Sequence, residues 1–362
     1  MRTRTRSPQA RRRPRYTRPM LATIDRVLRA AGTPYAIGRA LGQRIGPCLS
    51  DIIDTYIEQG PAAYDGVDNA RLAAETQGWF ETLPDRYRQE MTGLAAGAGI
   101  PVCRVAEWTY VEACTPHGCS SVLLAVGGRT WVARNNDIWV PALWGYVTIR
   151  DHVQRIPTLS IGMPGESFTA TGVNRARLWL HYHYMPTPQG VEPPVDAWFE
   201  FQWMTEALET CGSVGELVVW LDRQPRRGSM LLFVIDGKTD ERAVFECLPA
   251  THRRWPDDQP FLVATNHSLF ATAGGCTDSH RRYAALRLGL RRLAAPPTDD
   301  PVAILRTLLA DPSVEQRRGS YGTVYSTIAC PAAGSVWVTL GGYPAASGGT
   351  WQQIAWPWTD AD

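Results

Sequence analysis

The sequence lacks the features that mark several classes of protein. Its eight cysteines are scattered over 362 residues, with no CxxC pair and no dense framework. This spacing argues against a disulfide scaffold and predicts reduced thiols in a cytoplasmic protein. No apolar run approaches the length of a membrane span, and no repeat of fixed period is present. Hydrophobic content of 44% and charged content of 20% are typical of a soluble globular protein.

Acidic residues are absent from the N-terminus. Residues 1–19 hold eight arginines and no acid, so the rest of the chain carries a net charge of −6 within a total of +2. We expect a disordered basic tail, with Met20 a candidate for the true first residue. A basic tail can bind nucleic acid, but aromatic residues do not alternate with basic ones elsewhere, so no nucleic-acid partner is expected. Asp25 and nearby arginines interrupt the region that a twin-arginine export signal would need to be apolar.

The first third of the chain has helical periodicity. Apolar spacing of three and four over residues 34–60 predicts a helix that is interrupted near Gly46 and Pro47. Three more helices are predicted, over residues 69–84, 85–98 and 101–113. The first 118 residues are therefore expected to be mostly helical.

The pattern changes from helix to strand after residue 118. The segments SSVLLAV (120–126) and RTWVAR (129–134) predict a hairpin that turns at Gly127 and Gly128. Strands continue to about residue 184, and are followed by two helices, more strands, two more helices and a final hairpin. This order predicts an α+β protein with layers of helices and antiparallel sheets, rather than βαβ winding.

Cys119 stands at the head of the first strand of the predicted hairpin, directly after Gly118. A two-residue turn would place Asn136 opposite Cys119, with Arg134 on the same face, whereas a three-residue turn would place Asp137 opposite. Side chains that face each other across two strands lie roughly 5 Å apart at Cβ. Because a nearby arginine favours the thiolate, the sequence predicts a reactive cysteine. The alternative is that Cys119 is a small buried hydrophobic residue.

Asn266 ends another predicted strand, in the segment FLVATNH. An asparagine amide in such a position can donate a hydrogen bond to an oxyanion. A turn or capping role is the alternative for this residue.

The order and spacing of several short motifs resemble those of the cysteine N-terminal-nucleophile (Ntn) hydrolases. The motifs are Gly118-Cys119, ARNNDIW (133–139), GVN (172–174), ATNH (264–267) and SHRRY (279–283). Within this superfamily the chain is similar to the penicillin-acyltransferase peptidase family (peptidase C45), which is related to the choloylglycine hydrolases. The segments PYAIGRALG and EMTGLAAGAGIP resemble the pro-segment of that family, so the resemblance extends from about residue 34 to 345.

The resemblance implies a four-layer αββα sandwich of antiparallel sheets, and self-cleavage between Gly118 and Cys119. It divides the chain into the tail (1–19), a helical pro-segment (20–118) and a catalytic domain (119–362). The matched residues are Cys119 as nucleophile, Asp137 as the group that holds the new α-amine, Arg134 beside the nucleophile, Asn266 at the oxyanion, and Arg282, with Arg281 as an alternative, near the site.

Two departures from the family pattern affect the substrate site. After GVN the chain reads RARLWL instead of Glu-x-Gly-Leu, and His181 and His183 stand where relatives often have an asparagine. The second oxyanion contact and the acyl pocket are therefore left open. We expect substrate contacts from Arg282, His183, Trp139 and Trp144, although the two tryptophans could instead pack the core.

The expected chemistry follows from a cysteine that becomes an N-terminus. The thiol attacks the Gly118 carbonyl, an N-to-S shift gives a thioester, and water releases the pro-segment. The freed α-amine of Cys119, with a reference pKa of about 7.7–8.0, then serves as a general base. The mature enzyme would pass an acyl group from Cys119 to water or an amine.

The expected partners are a small-molecule acyl donor and an amine acceptor. The donor would be an amide or a thioester, either free or bound to CoA or a carrier protein. No metal or other cofactor is expected, and the two cleaved chains should stay associated as a heterodimer. The composition suggests a bacterial enzyme of specialised metabolism, such as antibiotic biosynthesis, by analogy.

Three alternatives remain open at the level of sequence. His117 or His267 could pair with the cysteine in an unprocessed Cys-His hydrolase. The alternate spacing of HYH (181–183) could seat a metal, but without a third ligand a polar strand face is the simpler interpretation. The protein could also be a non-catalytic member that binds an acylated ligand or carrier.

Overall fold

The computed structural model describes residues 23–60, 69–270, 277–293 and 300–359, so the basic tail and Met20 lie outside the described residues. The helices are α1 (Pro34–Ile45), α2 (Cys48–Gln59), α3 (Asn69–Thr82), α4 (Asp85–Ala98), α5 (Val102–Ala113), α6 (Glu200–Thr210), α7 (Val214–Arg223), α8 (Thr277–Leu293), α9 (Pro301–Leu309) and α10 (Ala345–Gly348). The strands are β1 (Val27–Gly32), β2 (Gly118–Val126), β3 (Arg129–Trp139), β4 (Tyr146–His152), β5 (Thr158–Gly162), β6 (Thr171–Asn174), β7 (Leu178–Met185), β8 (Ser229–Asp236), β9 (Glu241–Cys247), β10 (His252–Arg254), β11 (Phe261–Ala264), β12 (Arg317–Arg318), β13 (Tyr321–Cys330), β14 (Ser335–Leu340) and β15 (Thr350–Ile354).

The strands form two sheets that face each other. In the described residues the first sheet has the order β1-β4-β5-β6-β7-β8-β9-β10, and the second has the order β11-β2-β3-β13-β14-β15, with β12 beside β13. Strands β2 and β7 meet between the sheets. Helices α6 and α7 pack on the first sheet, and α8 and α9 pack on the second. The predicted αββα arrangement is confirmed.

The segment before Cys119 contains a strand that the sequence pattern does not predict. Strand β1 pairs in parallel with β4, from Val27 opposite Val147 to Gly32 opposite His152. Apolar and polar residues alternate only weakly in VLRAAG (27–32). The ion pair of Arg29 with Asp151, at 2.7 Å, joins β1 to β4 and cannot be read from the local sequence. Strand β1 is thus an addition to a pro-segment that is otherwise helical in the described residues, and its pairing makes the first sheet not wholly antiparallel.

The glycines of the two pro-segment motifs allow helices α1 and α4 to cross closely. A Cβ on Gly38 would overlap the carbonyl oxygen of Glu90, and one on Gly93 would overlap that of Tyr35. The two helix backbones therefore touch, and apolar residues of 23–60 and 69–113 share the main hydrophobic core with the first sheet.

The turn of the β2–β3 hairpin decides the register at Cys119. Gly127 and Gly128 form a two-residue turn with φ of 61° and 71°, a conformation that favours glycine. In this register Cys119 lies opposite Asn136, and Gly118 lies opposite Asp137. Of the two alternatives left by the sequence, the two-residue turn is the one formed.

No helix in the described ranges is both long and apolar enough to cross a membrane.

Candidate active site

The thiol of Cys119 lies between the two sheets and has no exposed surface. Arg134 donates from Nη2 to the sulfur at 3.3 Å, and the thiol is 3.7 Å from Oδ1 of Asn136. Burial raises the pKa of the thiol, while the positive charge of Arg134 opposes that rise. Arg134 is therefore the cation that stabilises a thiolate at this position.

Arg134 is held rigidly although it is fully buried. Its Nη1 donates to the carbonyl oxygen of Ala170 and to the hydroxyl of Thr171, both on the first sheet side. Its Nη2 also donates to Oδ1 of Asn136 at 2.7 Å. These contacts fix the charge beside the sulfur, and they also fix the orientation of the Asn136 amide.

Both the oxygen and the nitrogen of the Asn266 side-chain amide are hydrogen-bonded in the intact chain. Its Oδ1 accepts from the backbone N–H of Cys119 at 2.8 Å and from Nη2 of Arg282 at 2.9 Å. Its Nδ2 donates to the carbonyl oxygens of His117 at 3.0 Å and Tyr184 at 2.8 Å. The predicted oxyanion residue thus lies at the nucleophile, but one of its N–H bonds is occupied by residue 117 of the same chain.

Asp137 is a buried carboxylate beside Gly118. Its Oδ1 accepts from the Thr323 hydroxyl at 2.7 Å. Its Oδ2 has no hydrogen-bond partner among the described residues and lies 3.9 Å from Nη1 of Arg282. Burial raises the pKa of Asp137 to about 6, an effect larger than the opposing charge of Arg282. A carboxyl group with this pKa can exchange a proton near neutral pH.

Arg282, on α8, contacts the backbone of the nucleophile. Its Nη1 donates to the carbonyl oxygen of Cys119 and to the Ser120 hydroxyl, and its Nε donates to Asp278 at 2.9 Å. Arg281 instead points outward to Asp278 and the Ser313 carbonyl. Arg282 therefore positions Cys119 and Asn266 in this structure.

The two predicted substrate tryptophans pack against other aromatic rings. Trp144 is buried, with its ring 6.5 Å from that of His117, and its Nε1 donates to the Trp139 carbonyl at 2.9 Å. Trp139 packs edge-on against Tyr321 at 5.1 Å. The Trp144 ring thus lies near His117, and the Trp139 ring contacts Tyr321, positions that suit either packing or an acyl pocket.

His183 belongs to a buried chain of hydrogen bonds that runs in one direction. Trp179 Nε1 can only donate, at 2.9 Å to His181 Nδ1, and the Thr265 carbonyl can only accept, at 2.6 Å from His183 Nδ1. His181 Nε2 therefore donates to the Ser121 hydroxyl, which donates to His183 Nε2 at 2.7 Å. Every ring nitrogen is occupied, so none is left for a substrate.

The same chain accounts for the HYH motif without a metal. Burial lowers the pKa of His181 and of His183 well below the usual value, so both rings are neutral. Across the described ranges no group of three or more His, Cys, Asp or Glu side chains could hold a metal ion. In the described residues the motif forms a polar strand face whose ring nitrogens are hydrogen-bonded within the core.

Neither candidate histidine of a Cys-His pair is bonded to the thiol. His117 Nε2 is 3.0 Å from Glu112 Oε1, and its Nδ1 is 3.5 Å from Asn136 Oδ1. His267 bonds to the Ser279 hydroxyl at 2.8 Å. The hydrogen bonds of the thiol are those to Arg134 and Asn136, so the geometry gives the Cys-His alternative no support.

Two residues at the site are absent from the sequence-based assignment. Asn136 is fully buried, and its Nδ2 has no hydrogen-bond partner among the described residues. The two-residue register predicted from the sequence already places Asn136 opposite Cys119, so the omission concerns its role and not its position. Tyr321, whose hydroxyl hydrogen-bonds with the backbone of Gly118, carries no local signal, since the pairing of β13 with β3 brings it there.

No family model matches the chain, and no curated protein matches it. Among solved structures it is similar to a Caenorhabditis elegans N-acylethanolamine-hydrolyzing acid amidase ortholog, at 16% identity and a TM-score of 0.45 over 59% of this chain and 93% of that one. It is also similar to a mutant conjugated bile acid hydrolase from Clostridium perfringens, at 12% identity and a TM-score of 0.46 over 66% and 92%. A penicillin V acylase from Agrobacterium tumefaciens matches at 13% identity and a TM-score of 0.41 over 66% and 86%.

Proposed function

We propose that the chain is the precursor of an Ntn amide hydrolase or acyltransferase that cleaves itself between Gly118 and Cys119. The observation that carries the proposal is that the site is built around its own peptide bond. Asn266 binds both the N–H of Cys119 and the carbonyl of His117, and Asp137 lies beside Gly118. The Gly118–Cys119 peptide therefore occupies the position of a bound substrate.

Self-cleavage begins when the thiol loses its proton and the sulfur attacks the Gly118 carbonyl carbon. Asp137 is the proton acceptor, because its Oδ2 has no hydrogen bond and its pKa is raised to about 6 by burial. A C–S bond forms, the bond between the Gly118 carbonyl and the Cys119 nitrogen breaks, and the proton passes to that nitrogen. Water then hydrolyses the thioester, giving a Gly118 carboxylate and the free thiol.

Asn136 supplies the oxyanion contact that the sequence left open. Its amide lies at the sulfur, its Oδ1 is fixed by Arg134, and its Nδ2 protons have no acceptor among the described residues. A buried donor without a partner is costly, and a negative oxygen formed on the attacked carbonyl would satisfy it. A preorganised donor of this kind is worth about 3 kcal/mol of barrier.

Cleavage also prepares the site for external substrates. Departure of residue 117 frees one N–H of Asn266, which then becomes a second donor for the oxyanion. The new α-amine of Cys119 lies next to Oδ1 of Asn266 and serves as the base. An acyl donor, amide or thioester, would form acyl-Cys119, and water or an amine would take the acyl group.

The two cleaved chains should remain together as a heterodimer. Strand β1 is paired with β4 of the second chain along its whole length. Apolar side chains such as Ile37, Leu41, Leu49 and Tyr56 are fully buried in the shared core. Separation would expose these side chains at roughly 1.5–3 kcal/mol each.

Intact mass tests self-cleavage directly. The purified protein should consist of two pieces that meet between residues 118 and 119, and Cys119→Ala should give a single uncleaved chain. Cys247→Ala is the matched control, because Cys247 is equally buried but lies on β9, and it should cleave like the natural chain. A single intact chain from the natural sequence, or two pieces from Cys119→Ala, would contradict the proposal.

The role of Asn136 is tested in the same assay. Asn136→Ala should slow cleavage by about 10²-fold or more. Asn135→Ala is the control for lost packing, since Asn135 instead donates to the Leu309 carbonyl at 2.9 Å. Equal cleavage rates in the two variants would remove Asn136 from the oxyanion site.

A further inference from the structure

Gly118 is enclosed on the side where an amino acid other than glycine carries its Cβ. A Cβ built at this position would overlap the hydroxyl of Tyr321, and would lie 3.1 Å from Cβ and 3.3 Å from Oδ2 of Asp137. Gly118 is not one of the described glycines that have a positive φ. Glycine is therefore required here by its neighbours and not by the conformation of the chain.

The two neighbours have little freedom to move aside. The ring of Tyr321 packs against Trp139 at 5.1 Å, and the Tyr321 backbone accepts from the Tyr343 hydroxyl at 2.7 Å. Asp137 lies in the middle of the second sheet and accepts from Thr323. Burial, and then the negative charge of Asp137, raise the pKa of Tyr321, so the phenol keeps its proton. The neutral phenol and the Asp137 carboxyl group are both polar, so neither attracts an apolar substituent.

The thioester of self-cleavage and the acyl-enzyme of turnover are the same functional group on the same sulfur. In the first, the acyl group is the Gly118 end of the pro-segment. In the second, it is the acyl group of the substrate. The α-carbon of a substrate acyl group must therefore take the place of the Gly118 Cα, beside Tyr321 and Asp137.

We propose that Tyr321 and Asp137 restrict the mature enzyme to acyl groups whose α-carbon carries no substituent on the side that corresponds to the Cβ of an L-residue. Straight-chain acyl, arylacetyl and N-acylglycyl groups meet this requirement. Acyl groups derived from L-amino acids other than glycine do not. This inference rests on the proposed function, because it uses the acyl-Cys119 intermediate.

The precursor tests the contact without any knowledge of the natural substrate. Gly118→Ala should slow self-cleavage by about 10- to 100-fold, the range expected when a methyl group is forced into a tightly packed site. Tyr321→Phe removes the overlapping oxygen, so Gly118→Ala should slow cleavage much less in the Tyr321→Phe background than in the natural chain. Gly215→Ala is the matched control, because its Cβ would meet only the Ser213 hydroxyl, at 4.0 Å. Intact mass against time gives the rates.

The mature enzyme tests the substrate class with activated esters. Purified, cleaved protein is incubated with 4-nitrophenyl hexanoate, with its 3-methyl derivative, and with the two enantiomers of its 2-methyl derivative. Acylation of Cys119 is followed by mass. Hexanoyl and 3-methylhexanoyl groups should be transferred, and the (R)-2-methyl ester, whose methyl group corresponds to an L-residue Cβ, should react at least 10-fold more slowly than the (S) ester.

The possible failures are distinguishable. Cleavage of Gly118→Ala at the natural rate, or equal acylation by all four esters, would overturn the inference while leaving the proposed function intact. An equally large effect of Gly118→Ala in both Tyr321 backgrounds would overturn the role of Tyr321. A natural chain that neither cleaves nor becomes acylated by any ester would refute the proposed function, and this inference with it.

Discussion

The ionised carboxylate of Asp137 should lower the free energy of unfolding, although the same group is the proposed proton acceptor in self-cleavage. Two forces act on its carboxyl group: burial favours the neutral form, and Arg282 at 3.9 Å favours the charged form. Arg282 is already engaged by Asp278, Asn266 and the Cys119 carbonyl. Burial therefore prevails, and the pKa of Asp137 rises from 3.8 to about 6.

The magnitude follows from this shift. A rise of about two pKa units corresponds to about 3 kcal/mol, at 1.36 kcal/mol per unit. The folded state holds the Asp137 proton more tightly than the unfolded state does. The stability that this proton contributes is therefore fully present below pH 3.8 and is lost as the pH rises through about 6. At pH 7–8 the charged carboxylate therefore destabilises the precursor by about 3 kcal/mol relative to a group that does not titrate.

Asp137→Asn removes the titration and keeps the shape. The free energy of unfolding of the variant, minus that of the natural residue, should rise by about 2.5 kcal/mol between pH 4 and pH 8. The new amide N–H without a partner adds a penalty of about 1–3 kcal/mol. That penalty is the same at every pH, so it cancels in the comparison.

Urea unfolding at a series of pH values measures the effect, in the Cys119→Ala background so that both proteins stay uncleaved. Asp278→Asn is a control of opposite sign. Hydrogen bonds from Arg281 and Arg282 lower the pKa of Asp278 even though its partial burial opposes them, so its contribution to stability is lost as the pH falls. If the Asp137 difference is flat with pH, or decreases as the pH rises, then the charge of Arg282 outweighs burial and the reasoning is wrong.

Three further outcomes are expected. Asn266→Ala should lower the kcat of the mature enzyme by about 10²–10³-fold, and an unchanged kcat for an amide substrate would remove it from the oxyanion site. Arg134→Met should move the pH profile of self-cleavage to higher pH, because Arg134 opposes the rise in the pKa of Cys119 caused by burial; an unshifted profile would contradict its role. A chain that begins at Met20 should cleave and turn over like the full chain, with free and carrier-bound acyl donors alike, and a loss confined to carrier-bound donors would show that residues 1–19 recruit the carrier.

The parts of the site that lie close together in sequence could be predicted from it. Cys119, Arg134 and Asp137 belong to one hairpin, whose turn residues and strand periodicity fix their proximity to within one residue. Asn266 is a candidate from its place at the end of a predicted strand, whereas its proximity to Cys119 and the role of Arg282 come only from the resemblance to a family. The contacts that now link them to Cys119, at its N–H and its carbonyl, depend on the packing of β11 and α8 against β2.

The remaining features depend on contacts that local patterns do not encode. Tyr321 reaches Gly118 because β13 pairs with the far side of the hairpin, and β1 is recognisable as a strand only beside β4. The alternation in HYH correctly places His181 and His183 on one face of a strand. The alternation does not predict that these histidines bond to Ser121 in the core rather than to a substrate. That outcome depends on which sheet lies opposite the strand.

The two-glycine turn at the tip of the β2–β3 hairpin has a consequence for how this protein can be altered. It lies eight residues from the nucleophile, which is about 27 Å along an extended strand. One residue inserted between Gly127 and Gly128 would, if the turn kept two residues, bring Asn135 opposite Cys119 and turn Arg134 and Asn136 to the other face. An insertion in this remote, solvent-exposed loop would thus remove the cation from the sulfur, whereas two inserted residues could bulge outward and preserve the pairing. We expect an insertion in this loop to be tolerated only if its length keeps Arg134 and Asn136 on the same face of the hairpin as Cys119.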